Sequence, residues 1–258
     1  NKIDKKTAIY FLRRSFSMMD YNLRISREIN FKKTDYTSIF KSKNPKLYIK
    51  RLDEKEGDTV IKKLKSEKNT IPLMIHNGLI TTNLFEAFKE YKLIEMIRNP
   101  ISQVFSWIDK GYGDKFYGSY RTSCLTIKYK NKIIPYYAYG WENKYLNLNH
   151  YERIIEMFFI LEKQKKKILR KIDKKIKKKI LQIKLEDLFQ DHKKIIKKME
   201  NFIGKKSTKY TNQVLKQERI PRNYKDDIDF KKNLLKKKIS KEYFNKLLYL
   251  EKNYLKNN

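Results

Sequence analysis

The stretch Ile94-Glu-Met-Ile-Arg-Asn-Pro-Ile-Ser-Gln-Val-Phe-Ser-Trp107 decides the fold that the sequence predicts. Its apolar beginning predicts a short buried strand that ends at Arg98. A helix is expected to follow at once, because Asn99 is a favoured N-cap and Pro100 suits the first helical turn. Arg98 is therefore expected at a helix N-terminus, where backbone N–H groups and the helix dipole favour an anion.

The same helix carries two hydroxyl side chains one turn apart, Ser102 and Ser106, beside an apolar side. A guanidinium and a helix-borne hydroxyl beyond the end of a strand predict a phosphate clamp, formed by Arg98 and Ser106. The alternative is a surface arginine beside an ordinary capped helix, and a short motif of this kind leaves both open.

Short apolar runs predict strands, and amphipathic patterns between them predict helices. The predicted strands are Ala8–Leu12, Ile71–Ile75, Leu93–Ile97 and Ile180–Leu185. The predicted helices are Met18–Glu28, Thr59–Leu64, Asn83–Tyr91, Pro100–Asp109 and His150–Lys178. This alternation predicts an α/β fold with a central parallel sheet flanked by helices. Ligands bind such sheets beyond the carboxyl ends of the strands, so the residues that follow each strand are site candidates.

A β-hairpin is predicted as an insertion at about residues 120–140. Its arms are Cys124–Tyr129 and Ile133–Tyr137, and the short polar segment Lys130-Asn131-Lys132 forms the turn. Aromatic residues crowd the second arm and the chain after it: Tyr136, Tyr137, Tyr139 and Trp141. They either pack the hairpin onto the sheet or line an acceptor pocket, since aromatic faces suit sugar rings and other planar groups.

The C-terminal part of the chain is predicted to be helical. Asp191 is a suitable N-cap and Gly204 a natural stop for one helix. From about residue 205 to residue 258 we expect a helical extension, with a last helix from Lys241 to Tyr254. Residues 1–258 are expected to form a single domain.

Composition fits a folded protein. The 258 residues are 40% hydrophobic and 14% aromatic, which is enough for a domain with a real core. Cys124 is the only cysteine, which excludes a disulfide within this sequence and fits a reducing compartment. The histidines and this cysteine are too widely spaced to predict a metal site. We find neither a run as long as a membrane span nor a signal peptide, so we expect no transmembrane segment and a cytoplasmic location.

The formal net charge of +33 first indicates a nucleic-acid partner. However, lysine supplies most of this charge, and no helix carries an arginine-rich recognition face. The densest run, Lys163 to Lys179, also carries isoleucines at helical spacing, which favours one buried stripe with a solvated lysine face. We therefore expect weak, salt-dependent attraction of polyanions and no specific nucleic acid.

Two parts of the chain resemble sulfotransferases that use 3′-phosphoadenosine 5′-phosphosulfate (PAPS). Arg98-Asn-Pro with Ser106 is similar to the 3′-phosphate-binding element of that family, at a strand-to-helix junction. The tract Ile180-Leu-Gln-Ile-Lys-Leu-Glu-Asp-Leu188, with Asp191 and Phe202-Ile-Gly204, resembles the family's later strand, acidic turn and closing helix. The resemblance covers about residues 8–204 and implies a sulfotransferase-like domain with a P-loop-like nucleotide-binding fold.

The resemblance also implies a role for individual residues. Arg98 and Ser106 would hold the 3′-phosphate of PAPS, the co-substrate, and no metal is required. The donor's 5′ end would be held by the residues that match the phosphosulfate loop: Arg13, Arg14, Ser15 and Ser17. Arg14 would also neutralise charge on the bridging oxygen. His76, which follows an apolar strand upstream of Arg98, stands where cytosolic members have the catalytic base.

Phe16 departs from the family pattern, because it stands where the loop normally has a glycine. Phenylalanine neither lets backbone approach a phosphate closely nor adopts positive φ easily. Either the loop therefore takes another conformation, or the transferase activity of the protein is impaired. From the residues alone, Arg13–Ser17 could be an ordinary polar turn, and His76 a core histidine bonded to backbone.

The function implied is transfer of a sulfuryl group from PAPS to a hydroxyl of an acceptor, for which a carbohydrate or glycolipid is the expected class. One alternative is a catalytically inactive relative that binds anions or a glycan. A basic nucleic-acid-binding protein is less favoured, because it has no need for Arg98 and Ser106 as a pair.

Overall fold

The computed structural model describes residues 3–35, 37–67, 74–75, 82–112, 125–222 and 228–256. The chain divides into two compact units, Asn1–Glu90 and Tyr91–Asn258. Among the described residues, strands occur only in the second unit. The expectation of one domain over residues 1–258 stays a prediction.

The first unit is built from helices in its described part. They are α1 (Lys5–Arg24), α2 (Pro45–Lys50), α3 (Asp58–Glu67) and α4 (Thr82–Ala87), with 3-10 turns at Ile39–Lys41 and Arg51–Asp53. Helix α1 begins where Asp4 Oδ1 accepts a hydrogen bond from the backbone N–H of Thr7 at 3.0 Å. It contacts α3 and α4. The helix predicted at Thr59–Leu64 is confirmed by α3.

The strand predicted at Ala8–Leu12 is wrong, because these residues lie inside α1. An apolar run of five residues fits a strand or a helix, and here the surrounding sequence decides between them. Asp4 caps the start, and neither glycine nor proline interrupts Lys5–Arg24. The strand predicted at Ile71–Ile75 falls largely outside the described residues, and its last two residues are not in a strand.

The second unit contains both strands and helices. Its strands are β1 (Leu93–Ile97), β2 (Thr126–Tyr129), β3 (Lys132–Pro135) and β4 (Ile180–Lys184). Its helices are α5 (Pro100–Asp109), α6 (Glu142–Asn147), α7 (His150–Lys171), α8 (Lys174–Lys177), α9 (Leu185–Gln190), α10 (His192–Ile203), α11 (Lys209–Gln217), α12 (Ile228–Lys236) and α13 (Lys241–Lys256), with a 3-10 turn at Tyr136–Ala138.

Strands β1 and β4 form the parallel sheet. They pair over their whole length, from Leu93 opposite Ile180 to Ile97 opposite Lys184. Both were predicted as strands, and their parallel pairing agrees with the predicted α/β class. In the described residues the parallel sheet has only these two strands, so the fold is mixed α/β and mostly helical.

The main core of the second unit lies around α5. Ile101 and Val104 on α5 are fully buried, and they join a cluster with Ile155 on α7, Leu235 on α12 and Leu247 on α13. Helix α5 therefore buries its predicted apolar side against three other helices. This packing fixes the position of its N-terminus, which directly follows β1.

The predicted hairpin is confirmed as β2 and β3, which pair antiparallel from Thr126–Pro135 to Tyr129–Lys132. The turn has two residues, and its first residue, Lys130, has a φ of 52°. Of the aromatic residues after it, Tyr137 and Trp141 pack edge-on against the buried Tyr145 of α6. The hairpin is thus packed on α6, whereas Tyr136 and Tyr139 are exposed.

The long helix predicted at His150–Lys178 is interrupted. Helix α7 ends at Lys171, and Asp173 caps α8 by accepting the backbone N–H of Lys175 at 2.7 Å. An aspartate is favoured at a cap because its short side chain satisfies a free N–H group. Along the run, the isoleucines are half-buried and most lysines are exposed, as the prediction of a solvated lysine face requires.

A buried ion network joins α7 to α13. Glu156, only 5% exposed, accepts hydrogen bonds from Lys144 Nζ at 2.9 Å and from Lys246 Nζ at 2.6 Å. Burial raises the pKa of Glu156, but the two lysines outweigh this effect and hold the pKa below its ordinary value. Lys246 also donates a hydrogen bond at 2.7 Å to Glu242, one turn earlier on the same helix. Glu156 thus links α7 to α6 through Lys144 and to α13 through Lys246.

Candidate functional site

The junction between β1 and α5 has the predicted local geometry. Asn99 is the N-cap of α5, and its Oδ1 accepts the backbone N–H of Ile101 at 2.9 Å. Pro100 is the first helical residue. Arg98 is half-buried between the last residue of the strand and the cap. The guanidinium-bearing residue therefore lies at the carboxyl end of a parallel strand and at a helix N-terminus, as the clamp hypothesis requires.

Glu186, on the first turn of α9, connects this junction to the end of β4. Its Oε1 accepts the backbone N–H of Asn99 at 2.9 Å. Its Oε2 accepts the hydroxyl hydrogen of Tyr254, from α13, at 2.7 Å. A carboxylate that accepts two hydrogen bonds holds both donors more strongly than a neutral acceptor would. The acidic turn recognised in the sequence thus positions the backbone beside Arg98.

Lys231, on α12, is a cation that feels the charge of Arg98. Burial lowers the pKa of Lys231, and the positive charge of Arg98 lowers it further. Lys231 could not be singled out from the sequence, because it is one lysine among many in a polar C-terminal segment and carries no local signal.

The two serines of α5 differ in their surroundings. Ser102 is 1% exposed, and its Oγ has no hydrogen-bond partner within the described part of the chain. Ser106, the serine predicted to contact phosphate, lies one turn further along and is half-buried. A helix rises about 1.5 Å per residue, so Ser106 is about 6 Å further than Ser102 from the end of the helix that faces Arg98.

The predicted 5′-phosphosulfate loop has a different structure. Residues Arg13–Ser17 lie in the middle of α1, where backbone N–H groups are engaged within the helix. Arg14, Ser15 and Ser17 are exposed. Such a segment cannot offer the row of free N–H groups by which a phosphate loop holds its ligand.

Two side chains of the segment Arg13–Ser17, those of Arg13 and Phe16, hold α1 against other residues of the first unit. Arg13 Nε donates at 2.7 Å to the backbone oxygen of Ala87, the last residue of α4 and 74 positions further along the chain. The ring of Phe16 lies 5.0 Å from that of Phe88. Phe16, which replaces the family's glycine, is therefore a packing residue.

His76 lies outside the described residues, and so does Cys124. The structure thus places Arg98 directly before the N-cap of α5, and Ser106 lies further along the same helix. Within the described ranges, no group of His, Cys, Asp or Glu could hold a metal ion. In that part of the chain, no helix is long and apolar enough to cross a membrane.

Comparison of the chain with protein-family models, with curated proteins and with solved structures returns no match.

Proposed function

We propose that the protein is a sulfotransferase that uses PAPS and transfers its sulfuryl group to a hydroxyl of a carbohydrate or glycolipid. The observation that carries this proposal is the position of Arg98. It follows a parallel strand and precedes the N-cap of α5. Its charge also lowers the pKa of Lys231, which lies on α12. This arrangement suits the 3′-phosphate, the group that distinguishes the donor from common adenine nucleotides.

In this proposal Arg98, Ser106 and Lys231 hold the 3′-phosphate through charge-assisted hydrogen bonds. His76 takes the proton of the acceptor hydroxyl as its oxygen bonds to sulfur. The bond between sulfur and the bridging phosphate oxygen breaks, and the electron pair of that bond stays on the oxygen of the departing adenosine 3′,5′-bisphosphate. No step requires a metal.

A second candidate is a relative that binds a phosphorylated nucleotide or an anionic glycan without transferring sulfate. The helical conformation of Arg13–Ser17 favours it, because a helix withholds the N–H groups that a phosphosulfate needs. Both candidates require the same anion site at Arg98, and they differ in whether the 5′ end of the donor is held.

The experiment that tests the proposal is a thermal-shift series on the whole chain with adenosine 3′,5′-bisphosphate, AMP, ATP and a DNA oligonucleotide. We expect the bisphosphate to raise the melting temperature most, since a ligand that binds only the folded state stabilises it. Transfer of labelled sulfate from PAPS to a panel of hydroxyl acceptors then separates the two candidates. An equal response to AMP and the bisphosphate would contradict recognition of the 3′-phosphate, and with it the proposed donor.

A further inference from the structure

Helix α1 of the first unit has an exposed side on which cations and apolar side chains alternate. Lys6, Tyr10, Arg14 and Met18 follow one another at intervals of four residues, so they form one row on the helix surface. All four are exposed, Tyr10 at 59% and Met18 at 48%. We call this row the α1 ridge, and it extends about 18 Å along the helix axis.

The opposite side of α1 holds the helix in the first unit. Leu12 and Phe16 are half-buried there, and α1 contacts α3 and α4. Each lies two positions from a member of the α1 ridge, and at about 100° per residue this places it on the far side of the helix. The packing of α1 within the described residues therefore leaves the α1 ridge uncovered.

The charge of the α1 ridge is not neutralised within the described part of the chain. Lys6 and Arg14 form no ion pair there, whereas the neighbouring Lys5 pairs with a carboxylate of α4 at 2.7 Å. The one acid inside α1, Asp20, is half-buried, and burial raises its pKa. The aspartate that precedes the helix is engaged as its N-cap. The ridge thus presents positive charge beside apolar surface.

The apolar surface extends beyond the ridge itself. The exposed ring of Phe11 packs edge-on against the Tyr10 ring, with 6.0 Å between the ring centres. Ile3, two residues before the helix, is exposed as well. An apolar patch of this kind, bordered by polar residues, is typical of a surface that binds a partner.

We propose that the α1 ridge docks the protein on the surface of an anionic lipid bilayer. Tyr10 and Met18 enter the boundary between headgroups and acyl chains, and Lys6 and Arg14 reach the lipid phosphates. Helices that lie in a membrane interface have this composition, and long cationic side chains keep their charged ends at the headgroups. The net charge of +33 complements an anionic leaflet. The inference does not depend on the donor site.

The position of Arg14 favours a lipid surface over a protein groove. Arg14 lies between Tyr10 and Met18, so a groove that covered both apolar side chains would also bury the guanidinium, which is costly. A bilayer offers phosphates to the cation and hydrocarbon to its neighbours at the same time. Nucleic acid is less favoured, because it binds exposed side chains by charge and by stacking on rings. Met18 and Ile3 have no ring, and such a complex would leave them in water.

The first test changes the apolar side chains and leaves the net charge unaltered. The ridge variant of the whole chain carries Tyr10→Gln and Met18→Gln. The control carries Tyr210→Gln and Val214→Gln, an exposed pair with i, i+4 spacing on α11. Sedimentation with vesicles of equal parts phosphatidylcholine and phosphatidylserine measures binding. We expect the ridge variant to lose about tenfold or more in partitioning and the control less than about threefold, since only the ridge inserts.

The second test changes the cations. Lys6→Gln with Arg14→Gln is compared with Lys193→Gln and Lys194→Gln on exposed positions of α10, which remove the same charge. We expect about a tenfold or greater loss in the first pair and less than about threefold in the second, because only the ridge cations lie at the headgroups. Vesicles of phosphatidylcholine alone are the neutral probe and are expected to bind weakly.

A third variant, Tyr10→Trp, keeps an apolar ring on the ridge and reports its depth. We expect its additional fluorescence to be quenched by bromine-labelled lipid, relative to the parent chain. Absence of this quenching would overturn the proposal, and so would equal losses in the ridge and control variants. Self-association, or binding of an oligothymidylate, that depends on Tyr10 and Met18 while vesicle binding does not would also overturn it. The surface would then belong to a second copy of the chain or to nucleic acid.

Discussion

Glu186 accepts the backbone N–H of Asn99 at 2.9 Å, so the turn that follows β4 closes the junction that follows β1. The N-cap of α5 is thereby held on both sides, by its own side chain and by a carboxylate from the neighbouring strand. Arg98 lies immediately before this fixed backbone. The backbone next to Arg98 is consequently held by a hydrogen bond from each side.

Replacement of Arg98 by alanine tests the anion site. We expect it to weaken binding of adenosine 3′,5′-bisphosphate by about 2–4 kcal/mol, the scale of charge-assisted hydrogen bonds lost with their charge. Isothermal calorimetry measures the effect, and Lys193→Ala on the exposed face of α10 is the control for net charge. Unchanged affinity in Arg98→Ala would remove Arg98 from the site.

The pKa of Lys231 offers a second test of anion binding near Arg98. Burial and the charge of Arg98 lower the pKa of Lys231, and a bound phosphate would reverse the second effect. We expect the pKa to rise when adenosine 3′,5′-bisphosphate binds. Titration of ¹³C-dimethylated lysines by NMR measures it, with Lys231→Arg to assign the signal. A pKa that does not move on saturation places the nucleotide elsewhere.

The connection through Glu186 is expected to stabilise the second unit. Glu186→Ala removes the acceptor of two hydrogen bonds and is expected to lower the free energy of unfolding by about 2–3 kcal/mol. Tyr254→Phe is expected to cost about 1 kcal/mol alone and little in the Glu186→Ala background. Urea unfolding measures both, and the exposed Glu218→Ala is the control. Additive losses would mean that the two side chains act separately.

The Glu156 network predicts a dependence of stability on pH. In the unfolded chain this carboxyl takes up a proton near its ordinary pKa of 4.5, whereas in the folded chain it does so only at lower pH. Its contribution is therefore complete above that value and is lost as the pH falls through the lower folded pKa. We expect Glu156→Gln to cost about 1.5–3 kcal/mol at neutral pH and progressively less in acid. Chemical unfolding across this range measures it, and a difference that persists in strong acid would contradict the argument.

Phe16 distinguishes a helix from a phosphate loop. Because α1 is helical at this point, Phe16→Gly removes a packed ring and adds about 1 kcal/mol of helix penalty, so the first unit is expected to lose stability and helical circular dichroism. Phe16→Ala keeps the helix propensity and isolates the loss of the ring. Tighter binding of PAPS in Phe16→Gly would instead indicate that the segment forms the loop the family resemblance implies.

Local signals predicted the elements at which they occur. Helix α5 begins at Asn99 and Pro100, as predicted. Helix α10 is likewise capped by Asp191 at its start and by Gly204 at its end. Those residues act on their immediate neighbours, and for that reason their effect can be inferred without the rest of the fold. The hairpin at Lys130 was predicted for the same reason, although its turn is one residue shorter than expected.

The sequence-based predictions fail in two situations. In one, an apolar run fits the periodicity of a strand and of a helix equally well; in the other, the contacting residues are far apart in the sequence. The apolar run Ala8–Leu12 suits a strand as well as a helix, and its helical form depends on the cap at Asp4 and on packing within the first unit. Lys231 could not be predicted as part of the site, since its proximity to Arg98 results from the packing of α12 on α5. The role predicted for His76, which lies outside the described residues, stays a prediction.

The bond from Tyr254 to Glu186 has a consequence for synthesis of the chain. Asn99 is joined to a carboxylate 87 residues later, and that carboxylate to a hydroxyl a further 68 residues on. Contacts between such distant positions form late, because the intervening loop must close first. A ribosome-bound nascent chain therefore cannot complete this connection until Tyr254 has been translated.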